Sequence, residues 1–408
     1  MKEDKPKTIV ILTTNPFPVG LAGTSRILSY CKGFQHHGYT PEVLCIKPTE
    51  PYKNAFNTLT KGRFDSINYS YPGGTTIRVA SFLGRRFNDL KAILFSLIKL
   101  IKILKDNEVA FVIFYGNYIF TEISSILITR LFRKKIFKEE SENPNVHFAG
   151  HKSFLTAFIK WFYINKLYRC YHGILAMTHP IQDFFLTKGI SEKKILVVPQ
   201  TVDQKRFEIE NSHISVSLPD EYIAYVGSLN QLKDGVLTLV ESFKKVSADY
   251  PEIHLVIAGN GTEGEINVLS MLIDHLQLNG RVHLIGRISS NEIPSLFHRA
   301  RLLASCRPQS IQGDYGFPTK VAEYLASGIP VVTTATGELA YFLEDRVNAF
   351  IADSTDPDAF AAKILEALQD YPFAQNVAQT GIELVKKEFD PVQQTLKMIA
   401  FYKKTNDA

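Results

Sequence analysis

Two Rossmann-like, doubly wound α/β domains are predicted for this chain, and three observations predict them. The length of 408 residues is about twice that of a typical domain. Short apolar runs alternate with helical stretches from Thr8 onward, and a second cycle of the same alternation begins at Tyr222. Strands that alternate with helices form a parallel sheet covered on both faces.

The first cycle opens on the buried strand Thr8-Ile-Val-Ile-Leu-Thr-Thr, followed by a glycine-bearing loop from Asn15 to Thr24. A helix is expected from about Ser25, closing near Gly38, where His36 and His37 place positive charge against the helix dipole. Pro41-Glu-Val-Leu-Cys-Ile completes a βαβ unit. Further strands are expected at 76–80, 111–115, 135–138, 173–177 and 195–198, with 54–74 as a loop excursion. The second cycle runs through Tyr222-Ile-Ala-Tyr-Val-Gly, His254-Leu-Val-Ile-Ala-Gly, Val282-His-Leu-Ile-Gly, Leu302-Leu-Ala-Ser and Pro330-Val-Val-Thr-Thr. The weakly periodic, polar stretch 207–218 reads as the linker. The expected domains are 1–206 and 207–385, with a final helical segment 386–408 that crosses back to the first domain.

Composition narrows the function classes. Lys+Arg 46 against Asp+Glu 41 gives a net charge of +5, too mild over this length for nucleic acid as a bulk partner. Cys31, Cys45, Cys170 and Cys306 lie far apart without a CxxC pair, which argues against a zinc site and a disulfide framework. His147, His151, His172 and His179 have no ligand spacing, and no metal is assigned. The first residues run into a strand without a signal-peptide core, and no uncharged apolar run reaches about 18 residues. A cytoplasmic protein that does not span a membrane is the expectation.

The most informative stretch is Gly316-Phe-Pro-Thr-Lys-Val-Ala-Glu-Tyr-Leu-Ala-Ser-Gly-Ile-Pro-Val-Val-Thr-Thr. It reads as a tight loop, a short helix, a glycine stop and a buried strand. Backbone N–H groups at the start of such a helix stabilise an anion. Glu323, inside the helix, suits a pair of neighbouring hydroxyls such as a ribose presents. Upstream, Tyr225-Val-Gly-Ser-Leu-Asn-Gln-Leu-Lys-Asp-Gly-Val is a second glycine turn with a lysine a few positions beyond it, and Leu255-Val-Ile-Ala-Gly-Asn-Gly a third.

In this order of phosphate loop, hydroxyl-binding Glu, glycine and apolar strand, the chain resembles the retaining GT4-type glycosyltransferases of the GT-B fold (glycosyl transferases group 1). The resemblance is strongest over 173–353. It implies two doubly wound domains facing each other across a cleft, with a nucleotide-sugar donor held mainly by the second. Gly227, Ser228, Lys233, Gly259, Arg287, Ile288, Tyr315, Gly316, Phe317, Lys320 and Glu323 are the implied donor-side residues. Lys233 matches the family's basic residue on the diphosphate, while Ser228 stands where many members carry Arg. Members usually carry two acids eight positions apart, the second on the ribose. Counting back from Glu323 reaches Tyr315, with Asp314 just before it. Lys233, Lys320 and Asp314 are the candidates for the chemistry.

The acceptor side is assigned to the first domain. By the resemblance, Gly20, Gly23 and Thr24 correspond to the loop whose small residues let backbone amides approach phosphates or acceptor. Glu139, Glu140 and Glu142 follow a strand end. Lys91, Lys99, Lys102 and Lys105 recur on one narrow face of a helix, leaving a wide apolar remainder, and His151 to Arg169 adds a basic-aromatic stretch with Trp161. Two uses fit that helix: a packed element with a solvated stripe, or reversible contact with an anionic membrane.

The resemblance therefore implies transfer of a sugar from a UDP-, GDP- or dTDP-linked donor to a glycan or lipid-linked acceptor, with retention, in cell-surface polysaccharide biosynthesis. No bound cofactor and no obligatory metal are expected, because lysines and amides carry the diphosphate charge. The rivals are a non-catalytic nucleotide-sugar-binding or scaffold protein and a two-domain sugar-nucleotide epimerase, the latter needing paired carboxylates and a His.

Overall fold

The alternation of apolar runs and helices folds into two sheets, one in each of two units: Met1–Thr201 with Pro391–Ala408, and Val202–Asp390. The structure, a computed structural model, describes residues 7–20, 22–53, 55, 57–148, 153–208, 214–309, 315–353 and 355–405.

The first unit contains β1 (Thr8–Thr13), β2 (Thr40–Cys45), β3 (Lys61–Phe64), β4 (Ile67–Ser70), β5 (Val109–Tyr115), β6 (Lys135–Glu140), β7 (Gly173–Ala176) and β8 (Ile195–Val197). Their spatial order is β3-β4-β2-β1-β5-β6-β7-β8. All neighbours are parallel except β3 and β4. Every residue of β1 is buried, as a strand covered on both faces requires. The strand order reverses between β1 and β5, so the carboxyl ends of those strands border the crevice that such a reversal opens.

Helices α1 (Ala22–His36), α2 (Phe82–Asp106), α3 (Ile119–Leu131), α4 (Phe154–Phe162) and α5 (His179–Thr187) make the crossovers. Right-handed connections put α2 to α5 on one face of the sheet and α1 on the other. Helix α2 starts on a cap, the Ser81 hydroxyl accepting from the Gly84 N–H at 3.2 Å.

In the second unit β9 (Tyr222–Ser228), β10 (His254–Asn260), β11 (Val282–Gly286), β12 (Leu302–Ser305), β13 (Val331–Thr334) and β14 (Phe350–Ala352) form a sheet in the order β11-β10-β9-β12-β13-β14. Every pairing is parallel. Counted from the first strand this is 3-2-1-4-5-6, the doubly wound dinucleotide-binding order, with its reversal between β9 and β12. The helices are α6 (Gln231–Asp234), α7 (Val236–Asp249), α8 (Glu263–His275), α9 (Ile293–His298), α10 (Thr319–Ala326), α11 (Pro357–Gln369) and α12 (Tyr371–Leu384). Ile223, Leu255, Val240, Phe243, Phe360 and Ile364 join in its core. A last helix, α13 (Pro391–Lys404), returns to the first unit and packs on α1. There Phe401 and Tyr402 lie 5.6 and 4.9 Å from the rings of Phe137 and Phe111.

Several expectations are corrected. The excursion at 54–74 contains the hairpin β3–β4, whose turn places Asp65 and Ser66 at φ 46° and 64°. The stretch 76–80 is not a strand; Ile77 makes a single bridge to Glu50. The chain changes unit at 201/202 and 390/391, where 206/207 and 385/386 were expected. Phe207, the expected start of the linker, is buried and stacks on Phe297 at 5.8 Å within the second unit. The Val202 N–H bonds the Phe389 carbonyl at 2.9 Å.

Candidate functional site

The reversal between β9 and β12 gathers most of the second unit's candidate residues. Strand β9 ends on Gly227 and Ser228, with Gly259 of β10 opposite Gly227 in register. Gly227 is required by proximity: a Cβ there would run into the Lys320 ammonium, and would lie 2.5 Å from the Tyr225 hydroxyl. Asn230 caps α6 by accepting from the Lys233 N–H at 2.9 Å, which fixes the backbone that carries Lys233 and Asp234. Gly235 ends that turn at φ 66°, and a Cβ would collide with the Cys306 carbonyl. The loop after β9 is thereby pressed against the end of β12, where Arg307 follows, buried.

Lys320 enters this corner from the first turn of α10. Its ammonium donates to Asp234 Oδ1 at 2.6 Å and to the Tyr225 hydroxyl at 2.9 Å. Burial, which disfavours the charged amine, pushes Lys320 down to about 8; Asp234 opposes that shift, and Arg307 and Lys233 add to it. Lys320 thus holds the Asp234 carboxylate while Arg307 and Lys233 lie near enough to disfavour its charge, an excess of positive charge beside a helix N-terminus that no side chain caps. Such a corner suits a ligand carrying more than one negative charge. Lys233 itself is exposed.

The carboxylate of Glu323 lies one turn further along α10. Arg206 Nη1 donates to its Oε1 at 3.1 Å, while Arg206 Nη2 holds the Ser290 carbonyl at 3.1 Å. Burial raises the Glu323 pKa and Arg206 lowers it. Tyr324 on the neighbouring position locks the helix to β9, its hydroxyl accepting from the Val226 N–H at 2.8 Å. One Glu323 oxygen is thus committed to a guanidinium that orients the group, an arrangement compatible with hydroxyls on the other oxygen.

Other candidates fare differently. Asp314 lies outside the described residues. Tyr315 and Gly316 are half-buried at the entrance to α10. The Phe317 side chain is buried edge-on against Phe389 at 5.2 Å, so only its backbone is available to a ligand. Arg287 is exposed and Ile288 half-buried just past β11.

In the first unit the loop after β1 carries Gly20, exposed, and Gly23, half-buried in the first turn of α1. The Thr24 side chain is a correction: it is buried and its hydroxyl donates to the Pro16 carbonyl at 2.6 Å, holding the loop instead of facing a ligand. Glu139 and Glu140 are corrections as well. Glu139 is buried, receives the Arg26 guanidinium at 2.7 Å and the Tyr30 hydroxyl at 3.1 Å, and is raised in pKa by burial against those partners. Arg26 also donates to the carbonyls of Val198 and Pro199 at 2.6 and 2.8 Å, tying α1 to the end of the sheet. Glu140, buried, accepts from the Tyr168 hydroxyl at 2.5 Å. Both carboxylates hold the unit together; of the three, Glu142 is the exposed one.

Two residues escaped the sequence reading. Arg206 sits in an unremarkable Gln-Lys-Arg-Phe turn and carried no signal of its own. Asp234, adjacent to Lys233 and before a left-handed glycine, is distinguishable only once Lys320 is seen to reach it.

Comparisons with known proteins point the same way. Residues 208–384 match the family model described as "Glycosyl transferases group 1". O-antigen chain mannosyltransferase B of Escherichia coli is 25% identical over 182 residues, 45% of this chain and 45% of that protein. The chain spans about half the length of the curated relatives it matches. Among solved structures, a glycosyltransferase from Rickettsia africae superposes with a TM-score of 0.70 at 18% identity, covering 98% of this chain and 99% of that one. Anabaena HepE in complex with UDP-glucose gives 0.65 at 15% identity, covering 98% and 100%. These likenesses establish the GT-B fold class of two parallel-sheet units.

Proposed function

From the match of residues 208–384 to the glycosyl transferases group 1 family model, we propose that this chain is a member of that family and that it transfers a sugar from a nucleotide-sugar donor to a glycan or lipid-linked acceptor. The observation that carries the proposal is the convergence of Lys233, Lys320, Arg307 and Glu323 at the strand reversal of the second unit. A donor diphosphate meets the lysines and the start of α10, and its ribose meets Glu323. The energetic task is to stabilise charge on the departing nucleoside diphosphate. Fixed cations in a half-buried corner do this better than water, because they need no reorganisation as the bond breaks.

The finer reading is a GT4-type, retaining enzyme. The leaving phosphate assists the acceptor hydroxyl on the same face of the sugar, which removes the need for a protein base. The acceptor side is assigned to the first unit, at the loop of Gly20 and Gly23 and at Glu142. Relatives in O-antigen and colanic acid synthesis favour a cell-surface polysaccharide as product, and peripheral contact with an anionic membrane belongs to the same reading. Because the HepE neighbour binds UDP-glucose, UDP-sugars head the donor screen, followed by GDP- and dTDP-sugars.

Thermal shift against that panel identifies the donor, since a ligand of the folded state raises the melting midpoint. Nucleoside diphosphate release, measured with and without acceptor glycans, then separates an enzyme from a binding protein. Turnover is expected to persist in excess EDTA, with Lys233, Lys320 and Arg307 carrying the diphosphate charge. A donor that neither binds nor turns over refutes the proposal.

A further inference from the structure

Helix α4 has the sequence Phe-Leu-Thr-Ala-Phe-Ile-Lys-Trp-Phe, seven of nine residues apolar, and none of them is buried. Phe154 is 90% exposed, Phe158 56% and Trp161 48%. So short a helix is marginal in water without tertiary packing. Ser153 caps its start, and its far end continues into Tyr163, Ile164 and Leu167, which are buried. The helix is anchored at one end and presents its aromatic face outward, with Phe158 stacked on Trp161 at 6.0 Å and the Lys166 ammonium 5.6 Å from the Trp161 ring.

A second apolar surface lies on the same side of the sheet. Helix α2 buries Ala92, Ile93, Ser96, Leu100, Ile103 and Leu104. Its opposite face exposes Leu83, Phe87, Leu90, Leu94 and Ile98 at helical spacing. The helix is therefore apolar on two faces, and among the described residues one of them is buried while the other stays exposed. Lys91 and Lys102 border the exposed stripe, whereas Lys99 turns toward the sheet and pairs with Glu42 at 3.6 Å. That pairing corrects the expectation that four lysines share one outward duty.

The charge pattern selects the occupant. From Ser153 to Gln182 the chain contains no Asp or Glu, while Lys160, Lys166 and Arg169 fall within that stretch. Exposed Trp and Phe with flanking cations and no acids match the headgroup region of an anionic bilayer, which takes aromatic rings at its boundary and lysines at its surface. At nine residues α4 is about 14 Å long, too short to cross a membrane.

We propose that α4, on the same side of the sheet as the exposed stripe of α2, is the surface by which this protein docks on anionic lipid, inserting Phe154, Phe158 and Trp161 in the plane of the interface. This rests on the membrane-proximal part of the proposed function and names the surface responsible.

The chain's single tryptophan, Trp161, reports docking directly. The full-length protein is mixed with phosphatidylcholine vesicles with and without 30 mol% (about a third) phosphatidylglycerol. Tryptophan emission, quenching by brominated phospholipid and co-sedimentation are recorded. The expected result is a blue shift and quenching only with anionic vesicles. Phe154→Ser/Phe158→Ser should lower the vesicle partition coefficient about a hundredfold while leaving the donor-induced thermal shift unchanged. Co-sedimentation with unaltered Trp161 emission would overturn the role of α4 and leave the membrane reading standing. Absence of co-sedimentation would overturn both, with the transferase reading still decided by its own donor assay. A lipid-independent blue shift that grows with protein concentration, with a doubled mass in light scattering, would assign α4 to a second copy of the chain and overturn the proposal.

Discussion

Replacing Asp234 by Asn tests the phosphate corner, because it removes a charge without changing shape. Lys320 is held 2.6 Å from Asp234, and its side chain is only 16% exposed. Burial leaves the amine at about 8 in the folded protein against 10.5 for an unburied lysine. The folded value lies below the unfolded one, so the unfolded chain binds more protons between those two pH values, and stability rises as pH rises through that window. The change is on the order of 3 kcal/mol. Diphosphate binding works in the opposite direction, since two phosphates beside Lys320 favour its charged form. Affinity should be level from pH 7 to 8 and then fall, by up to about tenfold per pH unit, as the amine discharges. A charge-assisted hydrogen bond contributes about 1.5–3 kcal/mol, so losing Asp234 moves the onset of that fall roughly one to two pH units lower. Titration calorimetry of a nucleoside diphosphate between about pH 5.5 and 9.5, on wild type and Asp234→Asn, reads the onset. An unshifted onset in the variant, or the same pH dependence with a nucleoside lacking phosphates, would refute the assignment of Lys320 to the diphosphate.

Glu323→Ala should weaken nucleotide binding by about 1.5–3 kcal/mol with the melting midpoint little changed, and undiminished affinity for the donor would remove the ribose assignment. Gly235→Ala is expected to destabilise the second unit by at least about 1–2 kcal/mol through its left-handed φ alone, and by more through the clash with the Cys306 carbonyl; urea denaturation checks this. His254 and His283 share a contact of 2.8 Å, and burial, then His254, holds His283 below its ordinary value. Because that folded value is depressed, stability is complete above pH 6.5 (the ordinary histidine value) and lost as pH falls below it, and His283→Gln should flatten the acid limb of a melting-temperature profile.

The parts of this molecule that the sequence disclosed are those fixed by local pattern. A fully apolar run such as Thr8–Thr13 has no stable place except a covered parallel strand. The Gly316–Thr334 string encodes loop, helix, stop and strand within nineteen consecutive positions, so its place at the sheet reversal followed from order alone. Hidden features depended on partners distant in sequence or on an atypical surface. Glu139 looked like a cleft carboxylate until its partner proved to be Arg26, 113 residues away. Strand β3, Lys-Gly-Arg-Phe, is exposed at all four positions and lacks the alternation that betrays a strand. The apolar remainder of α2 left packing and membrane contact both open on the sequence; the structure divides it between the core and the solvent side.

Helix α13 has a bearing on how this molecule comes to be folded. Its partners on α1 and just after it precede it by more than three hundred residues: His37, one position past α1, bonds the Val392 carbonyl across an interval of 355. The second unit is continuous, so all its contacts become available once the ribosome has released residue 390. The first unit, although translated earlier, must wait for a piece made afterwards. During that interval the α1 surface that later receives Met398 and Ile399 is open to water and to other chains. The order of synthesis and the order of completion are therefore reversed, and crowding at this stage penalises the first unit and spares the second. A chain cut at residue 390 would keep a whole second unit and an unfinished first one, with its injury displaced almost the full length of the sequence from the cut.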